Sequence, residues 1–372
     1  MNKSDSPPIL INGGIIPNEH CFSEIINAEQ LCELAPIIVK VNPVFSKKIQ
    51  RIYKFMPKYK EKLLDALIPN LLDISTNIYG NFLIREILKC KEKYEFYRIF
   101  SELKGHIKEL AKDEWGTFVA QELIKNADKE QLMEILDEFI SDNDLEKNIN
   151  CENDKIVFQI IIKRQDKNVN NKICEKILKC LVNLCGNEYF KEIIITLLLN
   201  CSESYYDLIL IKCCVNIYEI SNRKFGHCIV SFFIKNERGR NINLINKIYE
   251  SLKGKVYNLS QEEYGTHTIQ DAIELGNPNQ LNQIIDEIKN NKYYLFFLSK
   301  HKKGNYVIQK ILNYLDRKTL GYLLHRLNEE KHNNKNKNKD ENKNDNNNNK
   351  DYSKYFKKVI SKIQEILNNK SI

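Results

Sequence analysis

Six glycines constrain this chain more than any other feature. Gly80, Gly116, Gly186, Gly226, Gly265 and Gly304 each lead a related segment: YGNFLIREIL, WGTFVAQELI, CGNEYFKEII, FGHCIVSFFI, YGTHTIQDAI and KGNYVIQKIL. The steps between them are 36, 70, 40, 39 and 39 residues. The long step contains one more copy, NDKIVFQIII, with Asp154 in the glycine slot. A period of this length is that of a helical solenoid, in which each repeat packs only on its neighbours. Glycine (13) and proline (8) are scarce in 372 residues, so tight turns are few and helix should dominate.

Counted from the slot, offsets +3, +4, +7 and +8 are mostly apolar. They are Val119, Ala120, Leu123 and Ile124 in one copy and Val307, Ile308, Ile311 and Leu312 in another, with Thr268 a polar exception. That spacing is one buried face of an α-helix. An aromatic often precedes the slot (Tyr79, Trp115, Phe225, Tyr264) and is read as a plug between repeats. Two weaker copies flank the array: VFSKKIQRIY with Phe45 in the slot, and YFKKVISKIQ with Phe356. Terminal units must differ, because their outer faces have no neighbour. Residues 28–40 read as a further half-repeat capping the N-terminal end.

The expected organisation is a poorly ordered extension over residues 1–27 and one repeat domain over 28–372. That domain is interrupted at 328–351, where no apolar residue separates Leu327 from Tyr352. Such a stretch cannot repay the entropy of ordering and is expected to be a disordered Asn/Lys-rich insertion.

Other function classes find little support. The formal charge is +8, a mild basic excess that slightly favours a polyanionic partner. The 11 cysteines are odd in number and form no CxxC pair, which fits reduced thiols packed as small hydrophobes. The seven histidines form no HExxH, so no metal and no cofactor are expected. GxGxxG, GxxxxGK[ST] and GxSxG are all missing, and no column pairs a nucleophile with a base, so no enzyme is expected. No apolar run approaches the ~18 residues of a membrane span. An intracellular protein without membrane contact is the expectation.

The remaining columns are polar. Offset +1 holds Asn81, Thr117, Lys155, Asn187, His227, Thr266 and Asn305. Offset +5 holds Arg85, Gln121, Gln159, Lys191, Ser231, Gln270 and Gln309. The early copy adds Ser46, Lys47 and Gln50 at +1, +2 and +5. Residues four apart lie one turn from each other on one helix face. Offset +2 is often flat: Phe82, Phe118, His267 and Tyr306. A solvated face would favour Glu and Lys, with no reason for rings at a fixed offset. An amide can satisfy both donors and acceptors of a base edge, and a flat side chain can stack on a base.

The segment KGNYVIQKIL closely resembles the repeat helix of the Pumilio (PUF) RNA-binding family, and YSKYFKKVISKI resembles that family's C-terminal capping helix. The resemblance implies an all-α, right-handed α-solenoid, an armadillo-like superhelix of eight Pumilio repeats forming a crescent. Each repeat would read one base of single-stranded RNA with its +1 and +5 side chains while +2 stacks. The RNA would run antiparallel to the chain. By the same resemblance, Asn305, Tyr306 and Gln309 read uracil. Ser46 with Gln50, Thr117 with Gln121 and Thr266 with Gln270 favour adenine. The Ser/Glu pair that selects guanine in the family is missing, because no +5 residue is Glu. The implied role is post-transcriptional regulation through mRNA 3′-untranslated regions, by a cytoplasmic monomer that recruits repressor or deadenylation proteins on its convex face. The alternatives are a nucleolar PUF-like ribosome-assembly factor and a protein-binding α-solenoid.

Overall fold

Each repeat is a stack of three helices. In repeat 3 these are Ile107–Lys112, Gly116–Asn126 and Lys129–Ile140, and in repeat 7 Val256–Gln261, Gly265–Leu275 and Pro278–Lys289. The middle helix carries the glycine slot. Its apolar offsets Val119, Ala120, Leu123 and Ile124 are fully buried where this helix packs on the first, and Leu110 of the first helix and Ile135, Leu136 and Phe139 of the third are buried too. Each large aliphatic side chain so buried contributes about 1.5–3 kcal/mol. The computed structural model describes residues 9–11, 14–16, 27–90, 92–140, 145–237, 242–340 and 346–369.

Local chemistry sets the helix ends. The turn before the first helix uses Gly105 at φ +88° and Gly254 at φ +76°, left-handed conformations that glycine adopts without a steric penalty. The exposed amides of that turn are taken by a carboxylate from the third helix of the same repeat. Glu138 accepts from the N–H groups of Gly105 (2.6 Å) and Ile107 (2.9 Å), and Glu287 from those of Gly254 (2.7 Å) and Val256 (2.9 Å). The third helix opens on a reciprocal box, Asn277 with Gln280 around Pro278, echoed by Asp128 with Gln131.

The slot glycines answer to close approach. A Cβ on Gly80, Gly116, Gly226, Gly265 or Gly304 would lie 2.5, 2.9, 2.0, 2.9 or 3.0 Å from the carbonyl oxygen six residues earlier. Gly186 is unlike them, for its Cβ would meet only the Asn183 carbonyl at 3.5 Å. The structure thereby corrects the register of repeat 5. Its middle helix is Phe190–Leu198, with Phe190, Ile193, Ile194, Leu197 and Leu198 buried, so Phe190 occupies the slot. The reason lies just upstream, where the third helix of repeat 4 and the first of repeat 5 fuse into the single helix Lys167–Leu184. With Phe190 in place, the eight slots are spaced by 35, 36, 38, 36, 36, 39 and 39 residues.

The chain forms two compact units, residues 1–143 with 151–164, and 144–150 with 165–372. The first holds the middle helices of repeats 1–4: Pro43–Phe55, Asn81–Lys89, Gly116–Asn126 and Glu152–Lys163. Helix Ala28–Ile38 covers its N-terminal end, packing on Lys60–Leu67, where Lys62 reaches both Glu29 and Glu33 at 2.8 Å. The second holds those of repeats 5–8: Phe190–Leu198, Gly226–Glu237, Gly265–Leu275 and Gly304–Ile311. Helix Asn346–Asn369 closes it, burying Phe356, Val359, Ile360 and Ile363 against Lys292–Lys300 and Gly304–Ile311.

Two segments differ from expectation or fall outside it. Of residues 1–27, most lie outside the described residues, and Ile9–Ile11 pairs antiparallel with Gly14–Ile16. Across the Asn/Lys-rich stretch 328–351, the helix that begins at Arg317 runs to Asp340 and the next begins at Asn346, while 341–345 lie outside the described residues. Leu320, Leu323 and Leu327 anchor the first of these helices, and extending an existing helix is far easier than nucleating one. From residue 27 onward every described element is helical, an all-α repeat solenoid. Among the described residues no helix is long and apolar enough to cross a membrane, and the cysteines are free, with Cys32, Cys174, Cys185 and Cys213 buried.

Candidate nucleic-acid interface

The three polar offsets have distinct roles. Offset +1 is buried: Ser46, Asn81, Thr117, Thr266 and Asn305 are at most 3% exposed. Offset +5 is half-buried at Gln50, Arg85, Gln121, Gln159, Gln270 and Gln309. Four pairs are hydrogen-bonded across the turn. The amide Nε2 donates from Gln50 to Ser46 Oγ (3.0 Å), from Gln121 to Thr117 Oγ1 (3.4 Å), from Gln270 to Thr266 Oγ1 (3.4 Å) and from Gln309 to Asn305 Oδ1 (2.9 Å). The buried group therefore orients the amide, and the amide faces outward. The two columns were equivalent in sequence; in the structure one holds and the other presents.

The buried groups are themselves fixed by backbone. Asn305 Nδ2 donates to the carbonyls of His301 (2.9 Å) and Lys302 (2.8 Å), and Asn81 Nδ2 to those of Asn77 (2.9 Å) and Ile78 (3.1 Å). Ser46 Oγ donates to the carbonyl of Tyr79 in the next repeat (2.8 Å). A cap three residues before the slot completes the design. Asn42, Asn77, Asp113 and Asn187 each accept from the two N–H groups at the slot and just before it. In repeat 8, His301 Nδ1 takes the same two donors, from Lys303 (3.3 Å) and Gly304 (3.2 Å). Burial holds His301 below the usual histidine range.

Offset +2 projects its rings outward. Phe82, Phe118 and Tyr306 are 48%, 39% and 45% exposed, and His267 and Lys47 are exposed as well. The Arg85 guanidinium sits between Phe82 (5.6 Å) and Phe118 (5.0 Å), so rings of adjacent repeats bracket a +5 side chain. Arg85 leaves its Asn81 partner unsatisfied: Asn81 Oδ1 is buried with no hydrogen-bond partner. The aromatics before the slot are half-buried rather than core plugs, and Tyr264 stacks on His227 at 5.9 Å.

Repeats 4 to 6 depart from the pattern. Lys155 at +1 is paired with Glu152 at 2.6 Å, beside Gln159. The register of repeat 5 moves Asn187 out of the +1 column and makes it the helix cap. It also moves Lys191 from +5 to +1, puts Glu192 at +2 and leaves Ile195 at +5. The signal was present in sequence, because Asn187 precedes Phe190 by the same three residues that separate Asn77 from Gly80. In repeat 6, His227 lies 5.2 Å from the His267 ring and is held below the usual range, by burial first and by His267 second. Ser231 at +5 is buried and donates to Asp271, a residue that column reading passed over because it lies at +6 of repeat 7.

Fold and site together define a class: an all-α repeat solenoid in which the middle helices of repeats 3, 7 and 8 each present an oriented amide beside a projecting ring. The model of the Pumilio-family RNA binding repeat matches residues 106–140, 255–289 and 294–326. Those are repeats 3, 7 and 8, each with glycine in the slot and glutamine at +5. Over those three repeats the chain matches the Pumilio family, and the comparisons support a divergent relative of it. Among curated proteins it is similar to Pumilio homolog 12 of Arabidopsis thaliana, 22% identical over 256 residues, covering 67% of this chain and 41% of that one. It is also similar to Pumilio domain-containing protein 5 of Caenorhabditis elegans, 26% identical over 106 residues, covering 26% of this chain and 19% of that one. The matched region thus spans less than half of either relative. Among solved structures, the fold is that of the Puf4 RNA-binding domain bound to an HO endonuclease RNA 3′-UTR sequence (TM-score 0.67, 19% identity, 82% of this chain and 94% of that one). It is also that of yeast Puf5p bound to SMX2 RNA (TM-score 0.67, 16% identity, 91% and 97%).

Proposed function

We propose that this protein binds single-stranded RNA sequence-selectively, reading bases through the +5 amides and stacking them on the +2 rings. The observation that carries this reading is the recurring oriented amide, in the pairs Ser46–Gln50, Thr117–Gln121, Thr266–Gln270 and Asn305–Gln309. A half-buried amide held by a buried neighbour loses little further entropy on meeting a base edge, and geometry fixed in advance is what specificity needs. The RNA complexes of Puf4 and Puf5p, which share the fold, support the same assignment. The biological role that follows is binding rather than catalysis: regulation of mRNA through 3′-untranslated regions, in the cytoplasm. A nucleolar role with broader contacts is the second reading, favoured by the lack of a +5 amide in repeats 5 and 6. Selection of the full chain against a randomised RNA pool, with imaging of its location in the cell, tests both. Enrichment of a short motif and cytoplasmic signal support the first reading, whereas unselective RNA binding and nucleolar signal support the second.

A further inference from the structure

Repeat 6 has no amide at +5, yet its face is not featureless. A cleft of about 450 Å³ opens there, lined by Ser231 and Lys235 of repeat 6, His267, Gln270 and Asp271 of repeat 7, and Lys310 of repeat 8, among others. Asp271 is held at the base of this cleft from the repeat 6 side. Ser231 Oγ donates to its Oδ2, and the Lys235 ammonium lies 3.8 Å from the same oxygen. Oδ1 has no partner among the described residues, and the side chain is 24% exposed. The exposed His267 ring, at +2 of the same repeat, also lines the cleft. Lys235 and Lys310 also line the cleft, Lys235 beside Asp271 and Lys310 paired with Glu274.

We propose that Asp271 supplies the base-reading group that repeat 6 lacks, making a composite site across repeats 6 and 7 that selects guanine in single-stranded RNA. This inference rests on the RNA-binding reading above. An ionised carboxylate only accepts hydrogen bonds. On a base's Watson–Crick edge it is matched by adjacent donors, and guanine offers two, N1–H and the N2 amino group. Adenine and cytosine each set one amino donor beside a ring-nitrogen acceptor, and uracil sets its N3–H between two carbonyl oxygens, so each would turn an acceptor toward the carboxylate. A charge-assisted bond in a partly buried cleft is among the stronger polar contacts available. His267 gives the base a flat neighbour. Ser231 is a positioning residue here, since it takes one acceptor site of Oδ2 and so orients the carboxylate, which keeps accepting capacity on both oxygens.

The test is selection of the full-length protein against randomised RNA, run beside Asp271→Asn and Gln309→Ala. Gln309→Ala marks the position read by repeat 8. With one base per repeat, wild type should enrich guanine two nucleotides from that position. Asp271→Asn should lose the guanine and keep the repeat 8 preference. In direct titration, replacing that guanine by inosine, which lacks the N2 amino group but keeps N1–H, should weaken wild-type binding about tenfold, the order of one lost hydrogen bond to a charged group. The inosine comparison uses unaltered protein, so it stands even if the variant folds poorly. A motif with no guanine at that position, or guanine retained by Asp271→Asn, overturns the composite site while leaving RNA reading intact. Failure of wild type to enrich any motif overturns both.

Discussion

Asn187 caps the helix that Phe190 opens: its Oδ1 accepts the Phe190 N–H at 3.1 Å and the Tyr189 N–H at 2.9 Å. That contact, and not the nearby glycine, sets the register of repeat 5. Two matched substitutions follow. Gly186→Ala should change stability by no more than about 0.5 kcal/mol, because its Cβ would make only an ordinary contact with the Asn183 carbonyl at 3.5 Å. Gly226→Ala should destabilise by about 1–3 kcal/mol or more, because its Cβ would lie 2.0 Å from the Ile220 carbonyl oxygen. Thermal melting of the two variants measures the difference, and equal losses would return Gly186 to the slot.

His301 contributes a pH dependence in repeat 8. Its Nδ1 accepts two backbone N–H groups, which a protonated ring could not do. Burial depresses its folded pKa below the ordinary ~6.5, with Glu262 opposing. The unfolded chain therefore binds the proton more readily. The stabilisation is full above about pH 6.5 and is lost as pH falls toward the folded value. His301→Asn keeps the cap, as Asn77 and Asn187 do, without titrating. Melting wild type and variant at pH 7.5 and 5.5 should show wild type losing more on acidification, and parallel losses would exclude His301 as the source.

Repeat 2 can be converted. Arg85→Gln removes two cation–π contacts, worth about 0.5–1 kcal/mol each at exposed sites. It gives the buried Asn81 Oδ1 a donor, and satisfying such a group is worth about 1–3 kcal/mol. Stability should therefore change little, while the base preference at repeat 2 becomes that of repeat 8, whose Asn305–Gln309 pair it reproduces. RNA selection on the variant reads the outcome, and an unchanged preference would separate the amide from base choice.

The carboxylate that caps the first helix of repeat 7 should be worth more than its exposed setting suggests. Glu287→Ala leaves the N–H groups of Gly254 and Val256 without their acceptor and should cost about 1–2 kcal/mol. Glu287→Gln keeps an acceptor and should cost less than half of that. Urea denaturation of both variants checks the order, and its reversal would mean that water caps this turn equally well.

The repeat period, the buried offsets and the projecting rings were legible in sequence because each repeats a local pattern many times. The register of repeat 5 was not. A Cys–Gly–Asn stretch resembles the slot, and only the fused helix Lys167–Leu184 displaces it. The burial of offset +1 was hidden because Asn, Thr and Ser are as common on surfaces as in backbone-bonded pockets, and what decides is the pair of carbonyls above Asn305. Asp271 escaped because its partner Ser231 is 40 residues away in sequence, a contact between repeats rather than within one. The helical backbone on both sides of 341–345 could not be read from composition, which carries no apolar face there.

The most direct test of the central claim is RNA selection by wild type against Gln309→Ala. The amide held by Asn305 is half-buried and contributes little to the core, so the variant should melt as wild type does. The account predicts loss of preference at one nucleotide only, with about 1–3 kcal/mol less affinity for the matched RNA and the remaining motif unchanged. An identical motif in both proteins, at equal affinity, would contradict it.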